Sequence, residues 1–290
     1  MYSANGPVRS LKDWLEYGVG FLESRQIADA ATDAWLLMEY AANIDRSYYF
    51  MNMHEPMDAG DAEDYAMLIH RRGEHVPVQH LTGEAWFYGR SFRVNANVLI
   101  PRQDTEVLVE ETLKRVKPDM RILDLCTGSG CILLTLLKEA ELVTGVGADL
   151  SADALVVAEL NRKRLGAQAN WIESDLFQNV GGRFHIITAN PPYIRTEEIA
   201  DLDEEVREHE PLIALDGRED GLYFYRRIVA EAADYLFPGG WLCMEIGYDQ
   251  GKAVEAVLIK HGFQDVTVTK DLAGLDRVVC GRLQEEETDV

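Results

Sequence analysis

The sequence predicts an α/β fold in which a mostly parallel sheet ends in one reversed strand, preceded by a small helical domain. From residue 101 onward, strand-like and helix-like runs alternate, as they do when helices connect parallel strands. The last two strand-like runs, 265–271 and 277–283, are separated only by a short turn that contains Gly274. Because a parallel crossover needs about a dozen residues or more, these two strands must be antiparallel.

Three regions follow from the hydrophobic pattern. Residues 11–80 carry apolar side chains at helical spacing, whereas 81–100 are rich in β-forming residues punctuated by glycine and asparagine. We therefore expect an N-terminal helical domain over 1–80, a β-hairpin linker over 81–100 and an α/β domain over 101–290. The strands predicted in the last domain are 121–126, 143–149, 169–174, 184–190 and 240–247, with helical runs that include 152–165 and 249–261.

The charge balance limits the partners that the protein can have. The 290 residues include 28 Lys and Arg against 50 Asp and Glu, which gives a formal net charge of −22. Such a surface repels phosphate backbones and attracts basic partners, so we expect no direct contact with nucleic acid. Solubility alone could also explain the acidity.

The cysteines and the apolar runs indicate the compartment. The four cysteines form no C-x-x-C pair and no cluster with metal-ligand spacing, so we expect reduced thiols and no metal site. Residues 1–10 lack the apolar core of a signal peptide, and no apolar run approaches the roughly 20 residues of a membrane helix. These observations predict a cytoplasmic protein with no membrane partner.

A glycine-rich turn follows the first predicted strand of the α/β domain. The segment 121–131 reads RILDLCTGSGC, and the carboxyl ends of strands are where α/β sheets bind ligands. A dinucleotide-binding G-x-G-x-x-G motif starting at Gly128 would place its third glycine at Leu133, which argues against a pyrophosphate cofactor. The candidate cofactor-binding residues in this turn are Cys126, Thr127, Gly128, Ser129 and Gly130.

The turn resembles the methyltransferase motif acidic-x-G-x-G-x-G, with Cys126 in place of its first glycine. Together with the reversed strand, it resembles the class I methyltransferase fold, a Rossmann-like sheet, and implies S-adenosylmethionine as the cofactor. Asp149 ends the second strand 19 residues beyond Gly130, where a carboxylate can accept hydrogen bonds from both ribose hydroxyls. The resemblance places Asp175 and Leu176 near the adenine. A plain turn with Asp149 as a helix cap is the alternative.

The acceptor site is predicted from residues 184–193, FHIITANPPY, in which a buried strand ends in Asn190-Pro191-Pro192-Tyr193. Methylating an amide or aromatic NH₂ group requires two hydrogen-bond acceptors for its hydrogens and no competing donor. The Asn190 side-chain carbonyl and the Pro191 backbone carbonyl can accept, and the prolines carry no N–H. Tyr193 can stack on the planar acceptor, and Asn190 is also expected to border the cofactor. Alternatively, the two prolines merely end a strand.

Adenine, cytosine, guanine and glutamine all carry a planar NH₂ group, so this chemistry alone leaves the substrate open. A DNA adenine-N6 methyltransferase would use a similar motif, although it would need basic grooves and a way to flip bases. The same residues would also suit a small-molecule or RNA methyltransferase, or a non-catalytic S-adenosylmethionine-binding module.

Ten short segments between about residues 75 and 280 resemble the release factor glutamine methyltransferases, the family known as PrmC or HemK, in the same order. They are PVQHLTG at 77–83, FYG at 87–89, VLIPR at 98–102, DTE at 104–106, DLCTGSG at 124–130, NPPY at 190–193, EP at 210–211, AL at 214–215, DGL at 220–222 and GLDR at 274–277.

The resemblance implies methylation of the side-chain amide nitrogen of the glutamine in the Gly-Gly-Gln loop of peptide chain release factors. It assigns substrate recognition to the domain 1–80 and S-adenosylmethionine binding to 101–290. It implies that Asn190 and Pro191 hold the amide while Tyr193 stacks on it. The family usually has proline, glycine and an aromatic residue where this chain has Gln103, Cys126 and Leu176.

The composition after the acceptor motif supports a basic partner. Residues 197–210 contain eight acidic residues and one arginine, Arg207, which gives 8 − 1 = 7 net negative charges. A loop that contacts ribosomal RNA should be basic, and an acidic rim would attract it. A solvated acidic helix is the alternative explanation.

Overall fold

The boundary at Gly83 divides the chain into two compact units, Met1–Gly83 and Glu84–Val290. The structure is a computed structural model that describes residues 9–284. Most of the segment 1–10, for which no signal peptide is expected, therefore lies outside the described residues. Within residues 9–284, no helix is long and apolar enough to cross a bilayer.

The first unit consists of helices packed around an apolar core. The first helix begins at a capping box, in which the Ser10 and Asp13 side chains bind each other's backbone N–H groups. Leu22, Leu37 and Ile69, from three different helices, are fully buried in the core. The helices are α1 (Leu11–Ser24), α2 (Ala30–Ala42), α3 (Arg46–Asn52), α4 (Ala59–Arg72) and α5 (Val78–Thr82).

The second unit opens with the predicted hairpin. Strands β1 (Glu84–Phe87) and β2 (Arg90–Arg93) are antiparallel and joined by Tyr88 and Gly89, both with positive φ. Two residues with positive φ form the turn whose twist matches a two-residue hairpin.

The rest of the second unit alternates between helices and strands. The helices are α6 (Glu106–Leu113), α7 (Cys131–Glu139), α8 (Ala152–Leu165), α9 (Glu204–His209), α10 (Tyr223–Tyr235) and α11 (Gly251–Lys260). The strands are β3 (Arg121–Leu125), β4 (Thr144–Asp149), β5 (Ala169–Glu173), β6 (Phe184–Ala189), β7 (Leu236–Glu245), β8 (Phe263–Lys270) and β9 (Asp276–Leu283).

These seven strands form one sheet in the order β5-β4-β3-β6-β7-β9-β8. The five strands β3, β4, β5, β6 and β7 are mutually parallel. Strand β9 is antiparallel to both of its neighbours, so the prediction of a reversed strand is confirmed. Strand β7 begins four residues before the predicted start at 240, because Leu236 already pairs with Phe184 ahead of a bulge. The turn-forming Phe237-Pro238-Gly239 segment concealed this early pairing in the sequence.

Both faces of the sheet are covered, as a parallel sheet requires. Leu123 and Ile187 point into an apolar cluster with residues of α10 and α11, whereas their neighbours Ile122 and Ile186 point into a cluster with residues of α6 and α7. Because β3, β4, β5 and β6 are parallel, the residues that follow them lie along one edge of the sheet. This edge brings together the cofactor turn, Asp149, the 174–176 segment and Asn190.

Candidate active site

The turn after β3 has a backbone that favours glycine at three positions. Cys126, Gly128 and Gly130 have φ values of +55°, +53° and +77°. A Cβ on Gly128 would meet no atom within 4 Å, so the space beside it is open to a ligand. A Cβ on Gly130 would lie 3.0 Å from Trp171, so a larger residue there would be crowded by side chains inside the protein.

The Asp149 carboxylate connects the turn after β3 with the start of the helix after β4. Its Oδ2 accepts from the Gly128 backbone N–H at 2.8 Å, and its Oδ1 accepts from the Ser151 backbone N–H at 2.9 Å. Burial raises the pKa of this carboxyl above its ordinary value, against the effect of the two backbone donors. Each carboxylate oxygen has a second lone pair, so Asp149 can still accept from two hydroxyl groups.

The segment after β5 contributes the third part of the edge. Leu176 has φ +51° and is buried, and the Ser174 hydroxyl donates to its backbone carbonyl at 2.8 Å. The Asp175 carboxylate accepts from Arg227 at 2.9 Å. Asp175 is therefore already held by an ion pair, which leaves its second oxygen for a ligand.

The acceptor motif follows β6, next to the cofactor turn. The Asn190 side chain is half-buried, and its Nδ2 donates to the Thr105 hydroxyl at 3.5 Å. Tyr193 is held at both ends by residues at or just after the end of β7. Its hydroxyl donates to Glu245 Oε1 at 3.3 Å, and its backbone carbonyl accepts from Gln250 Nε2 at 2.9 Å.

A cavity joins the cofactor turn to the acceptor motif. Nine of the twelve predicted site residues lie on its wall, and they come from the ends of four neighbouring strands. They are Cys126, Thr127, Gly128, Ser129, Asp149, Asp175, Leu176, Asn190 and Pro192.

Three predicted residues are not on the cavity wall: Gly130, Pro191 and Tyr193. The wall also contains residues that the sequence did not indicate, including Leu99, Thr105, Ile213 and Phe224. Leu99 and Thr105 fall in two of the segments that resemble the known family, and this resemblance is the signal that could have found them. Phe224 lies in an ordinary amphipathic helix, where nothing distinguishes it from a core residue.

The residues on this wall fit an adenosyl group. Gly128 leaves space for a close approach, Asp149 offers free lone pairs, and Leu176 and Phe224 provide apolar surface. Within residues 9–284, no group of three or more His, Cys, Asp or Glu side chains could hold a metal ion.

Comparison with known proteins identifies the family. Residues 13–83 match the PrmC N-terminal domain, and residues 102–206 match the methyltransferase small domain. The release factor glutamine methyltransferase of Geobacter sulfurreducens is 39% identical over 277 residues, which cover 95% of this chain and 96% of that protein. The chain belongs to the release factor glutamine methyltransferase family. The enzyme of that name from Agrobacterium fabrum is 41% identical, over 90% of this chain and 93% of its own length.

A solved structure agrees with the fold of this release factor glutamine methyltransferase family member. A methyltransferase from Pyrococcus furiosus has a TM-score of 0.52 and 15% identity, and the similarity covers 68% of this chain and 91% of that chain. At this identity the similarity shows the fold alone.

Cys126 gives the first prediction for this member of the release factor glutamine methyltransferase family. Its left-handed backbone is strained for any residue with a Cβ, and its thiol packs against the core. We expect Cys126→Gly to have a free energy of unfolding about 1 kcal/mol higher than Cys126→Ala, since both lose the thiol but only alanine keeps the strain. Denaturant titration measures this difference.

Cys131, at the start of α7, is the matched control. Its helical backbone favours alanine over glycine, so Cys131→Ala should be more stable than Cys131→Gly. If alanine is as stable as glycine at position 126, the left-handed backbone imposes no strain there.

Proposed function

We propose that this protein transfers a methyl group from S-adenosylmethionine to the side-chain amide nitrogen of a glutamine in peptide chain release factors. The observation that carries the proposal is the cavity that holds both the cofactor turn and Asn190. Membership of the family supports release factors as substrates, and we assign the glutamine to their Gly-Gly-Gln loop. The four free cysteines support a reducing compartment, and we place the reaction in the cytoplasm.

Residues of the turn after β3, Asp149 and the 175–176 segment would hold the cofactor, whose sulfonium supplies an electrophilic methyl group. Asp149 would accept from the ribose hydroxyls, and Leu176 with Phe224 would contact the adenine. Because Asp149 already accepts from the Gly128 backbone N–H, it would hold the turn and the ribose together.

Asn190 would accept a hydrogen bond from the substrate amide through its side-chain oxygen. Pro191 would offer its backbone carbonyl to the second hydrogen, since it lies between Asn190 and Pro192, which are both on the cavity wall. With both hydrogens held, the nitrogen lone pair would be directed toward the methyl group. Transfer would break the methyl–sulfur bond of the sulfonium, and the methylated nitrogen would then lose one of its two hydrogens to water as a proton. Most of the rate acceleration would then come from position and desolvation.

Tyr193 is better suited to holding the motif than to stacking on the acceptor. Its hydroxyl and its backbone carbonyl are both bound by residues associated with the end of β7, and it does not line the cavity. We propose that Tyr193 anchors the Asn-Pro-Pro segment and that residues of the cavity wall, such as Leu99, contact the plane of the amide.

We also propose that the acidic stretch, residues 197–210, attracts the basic substrate. It forms a 3-10 turn at Thr196–Asp201 and helix α9, and Ile213 just beyond it lines the cavity. Glu198, Glu208 and Glu210 form ion pairs with arginines, whereas Glu197, Asp201 and Asp203 are exposed.

Neutralising the exposed acids with Glu197→Gln, Asp201→Asn and Asp203→Asn should lower the association rate with a release factor roughly 3- to 10-fold at low salt. The salt dependence of the rate should become flatter, because exposed charges act through a screened field. Stopped-flow binding at several salt concentrations measures both effects. A short glutamine peptide without basic flanks should respond much less.

The matched control carries the same charge change at Asp119, Glu141 and Asp234, which lie near the amino ends of β3, β4 and β7. This control should leave the rate within about twofold of the wild type, because these sites are at the opposite edge of the sheet. Equal effects of the two triple variants would show that only the total charge matters.

Methylation with labelled S-adenosylmethionine tests the proposed function directly. We expect a purified release factor to become labelled and duplex DNA to remain unlabelled. Efficient labelling of DNA without labelling of the release factor would favour a DNA adenine-N6 methyltransferase, and cofactor binding without any transfer would favour a non-catalytic module.

We assign a supporting role in substrate recognition to the helical unit Met1–Gly83. Its helices α2 and α3 expose Tyr40, Tyr48, Phe50 and Met51, the residue types that are enriched at protein interfaces.

A further inference from the structure

A buried carboxyl lies behind the acceptor motif and has no role in the reaction described above. Glu245, the last residue of β7, is 2% exposed. Its Oε1 accepts from the Tyr193 hydroxyl, and its Oε2 has no hydrogen-bond partner within residues 9–284. Burying an incompletely bonded carboxyl costs stability, so its presence beside the acceptor motif calls for an explanation.

Thr105 connects this carboxyl to Asn190. Thr105 is 2% exposed, lies just before α6 and borders the cavity. Its hydroxyl oxygen accepts from Asn190 Nδ2 at 3.5 Å, and the same hydroxyl lies beside Glu245 and lowers the pKa of that carboxyl. A hydroxyl has one proton to donate, so a hydroxyl that donates to a carboxylate is left to accept from its second neighbour.

The orientation of the Asn190 amide depends on this arrangement. An amide has a donor end and an acceptor end, and the proposed reaction requires its oxygen to face the substrate. If Thr105 accepts from Nδ2, the oxygen is directed away from Thr105 and toward the acceptor. If the Thr105 proton instead pointed at Asn190, the amide would turn over and present a donor to the substrate nitrogen.

We propose that Thr105 and Glu245 are positioning residues, which hold the Asn190 amide with its oxygen toward the methyl acceptor. This inference rests on the proposed function and deepens it. The 3.5 Å separation of Asn190 Nδ2 from Thr105 is long for a hydrogen bond and should shorten when an acceptor fills the cavity.

The charges around Glu245 suit this role. Burial raises the pKa of Glu245 to about 7, and the negative charge of Asp104 adds to this shift. The Thr105 hydroxyl, Arg277 and the Tyr193 hydroxyl each lower the pKa and so oppose the shift. Arg277 also pairs with Asp104 at 3.2 Å and Asp271 at 2.9 Å. Above this pKa Glu245 is a carboxylate, which can only accept, and in this form it directs the Thr105 proton away from Asn190.

A double-mutant cycle between Thr105 and Asn190 tests the inference. Thr105→Val, which replaces the hydroxyl by a methyl group of similar size, should lower kcat about 10-fold and leave the Kd for S-adenosylhomocysteine unchanged. In the Asn190→Ala background the same change should lower kcat less than about twofold, because Thr105 acts through Asn190. Thr105→Ser should restore most of the wild-type kcat.

Thr112→Val is the matched control. Thr112 is a fully buried threonine of α6 that does not line the cavity, and its hydroxyl donates to the Leu108 carbonyl at 2.7 Å. It should leave kcat unchanged. Glu245→Gln is a second variant, since glutamine can donate to Thr105 and reverse the bond, and kcat should again fall.

The same loss from Thr105→Val in both backgrounds would overturn the inference, as would full activity of both Thr105→Val and Glu245→Gln. If the Thr105→Val variant does not fold, the Glu245→Gln variant decides: a kcat equal to that of the wild type would by itself overturn the inference. The cycle uses whichever planar NH₂ substrate the wild type labels, so a failure of the release-factor proposal appears separately, in the wild-type assay.

Discussion

Replacing Asn190 by alanine should lower methyl transfer to a release factor about 100-fold, because one positioning hydrogen bond at the reacting nitrogen is lost. Asn190 follows β6 and lies on the cavity wall beside the turn after β3. The Kd for S-adenosylhomocysteine should change less than about threefold, since the interaction is with the acceptor. Single-turnover transfer and calorimetry measure the two quantities.

Asn170→Ala is the control for this experiment, because Asn170 is an exposed asparagine on β5. It should behave as the wild type in both measurements. Near-normal turnover by Asn190→Ala would show that the acceptor is held by different residues. A large loss of S-adenosylhomocysteine binding would instead assign Asn190 to the cofactor.

Asp149→Ala should weaken binding of S-adenosylhomocysteine roughly 10- to 100-fold, as expected when charge-assisted hydrogen bonds to two hydroxyls are lost. Part of the loss should come from the turn after β3, because Asp149 also holds the Gly128 backbone N–H at 2.8 Å. Asp153→Ala, in the exposed first turn of α8, should leave binding nearly unchanged.

An analogue of S-adenosylhomocysteine without ribose hydroxyls separates the two contributions of Asp149. It should bind the wild type much more weakly than the natural compound does. The Asp149→Ala variant should discriminate little between the two compounds, because the partner of the hydroxyls is gone. If the variant discriminates as strongly as the wild type, Asp149 is a cap that only holds the backbone.

The sequence predicted the fold and placed nine of its twelve candidate site residues on the cavity wall, because both depend on local patterns. Alternating apolar runs located all seven strands of the sheet, and the short connection between the last two, residues 271–275 in the structure, indicated the reversed strand. Residues directly after parallel strands must share one edge, which is why Cys126, Asp149 and Asn190 could be placed together from the sequence alone.

Side-chain direction and distant contacts could not be predicted in the same way. Tyr193 follows the two prolines of the acceptor motif directly, yet its hydroxyl is bound to Glu245, 52 residues away in the sequence. Thr105 reaches Asn190 across 85 residues. Such pairs are determined by how the helices pack on the sheet, and a single sequence carries no signal for them.

The adjacency of β3 and β6 also has a consequence for folding. These strands pair with each other although Leu125 and Ala189 are far apart in the sequence. The two halves of the cavity therefore meet only when the chain between them, which contains β4 and β5, has taken its place in the sheet. We therefore expect ligand binding to be coupled to the cooperative unfolding of the whole sheet rather than to the opening of one loop. Saturating S-adenosylhomocysteine should slow hydrogen exchange of amides in β3, β4 and β6 by a common factor, up to the gain in global stability.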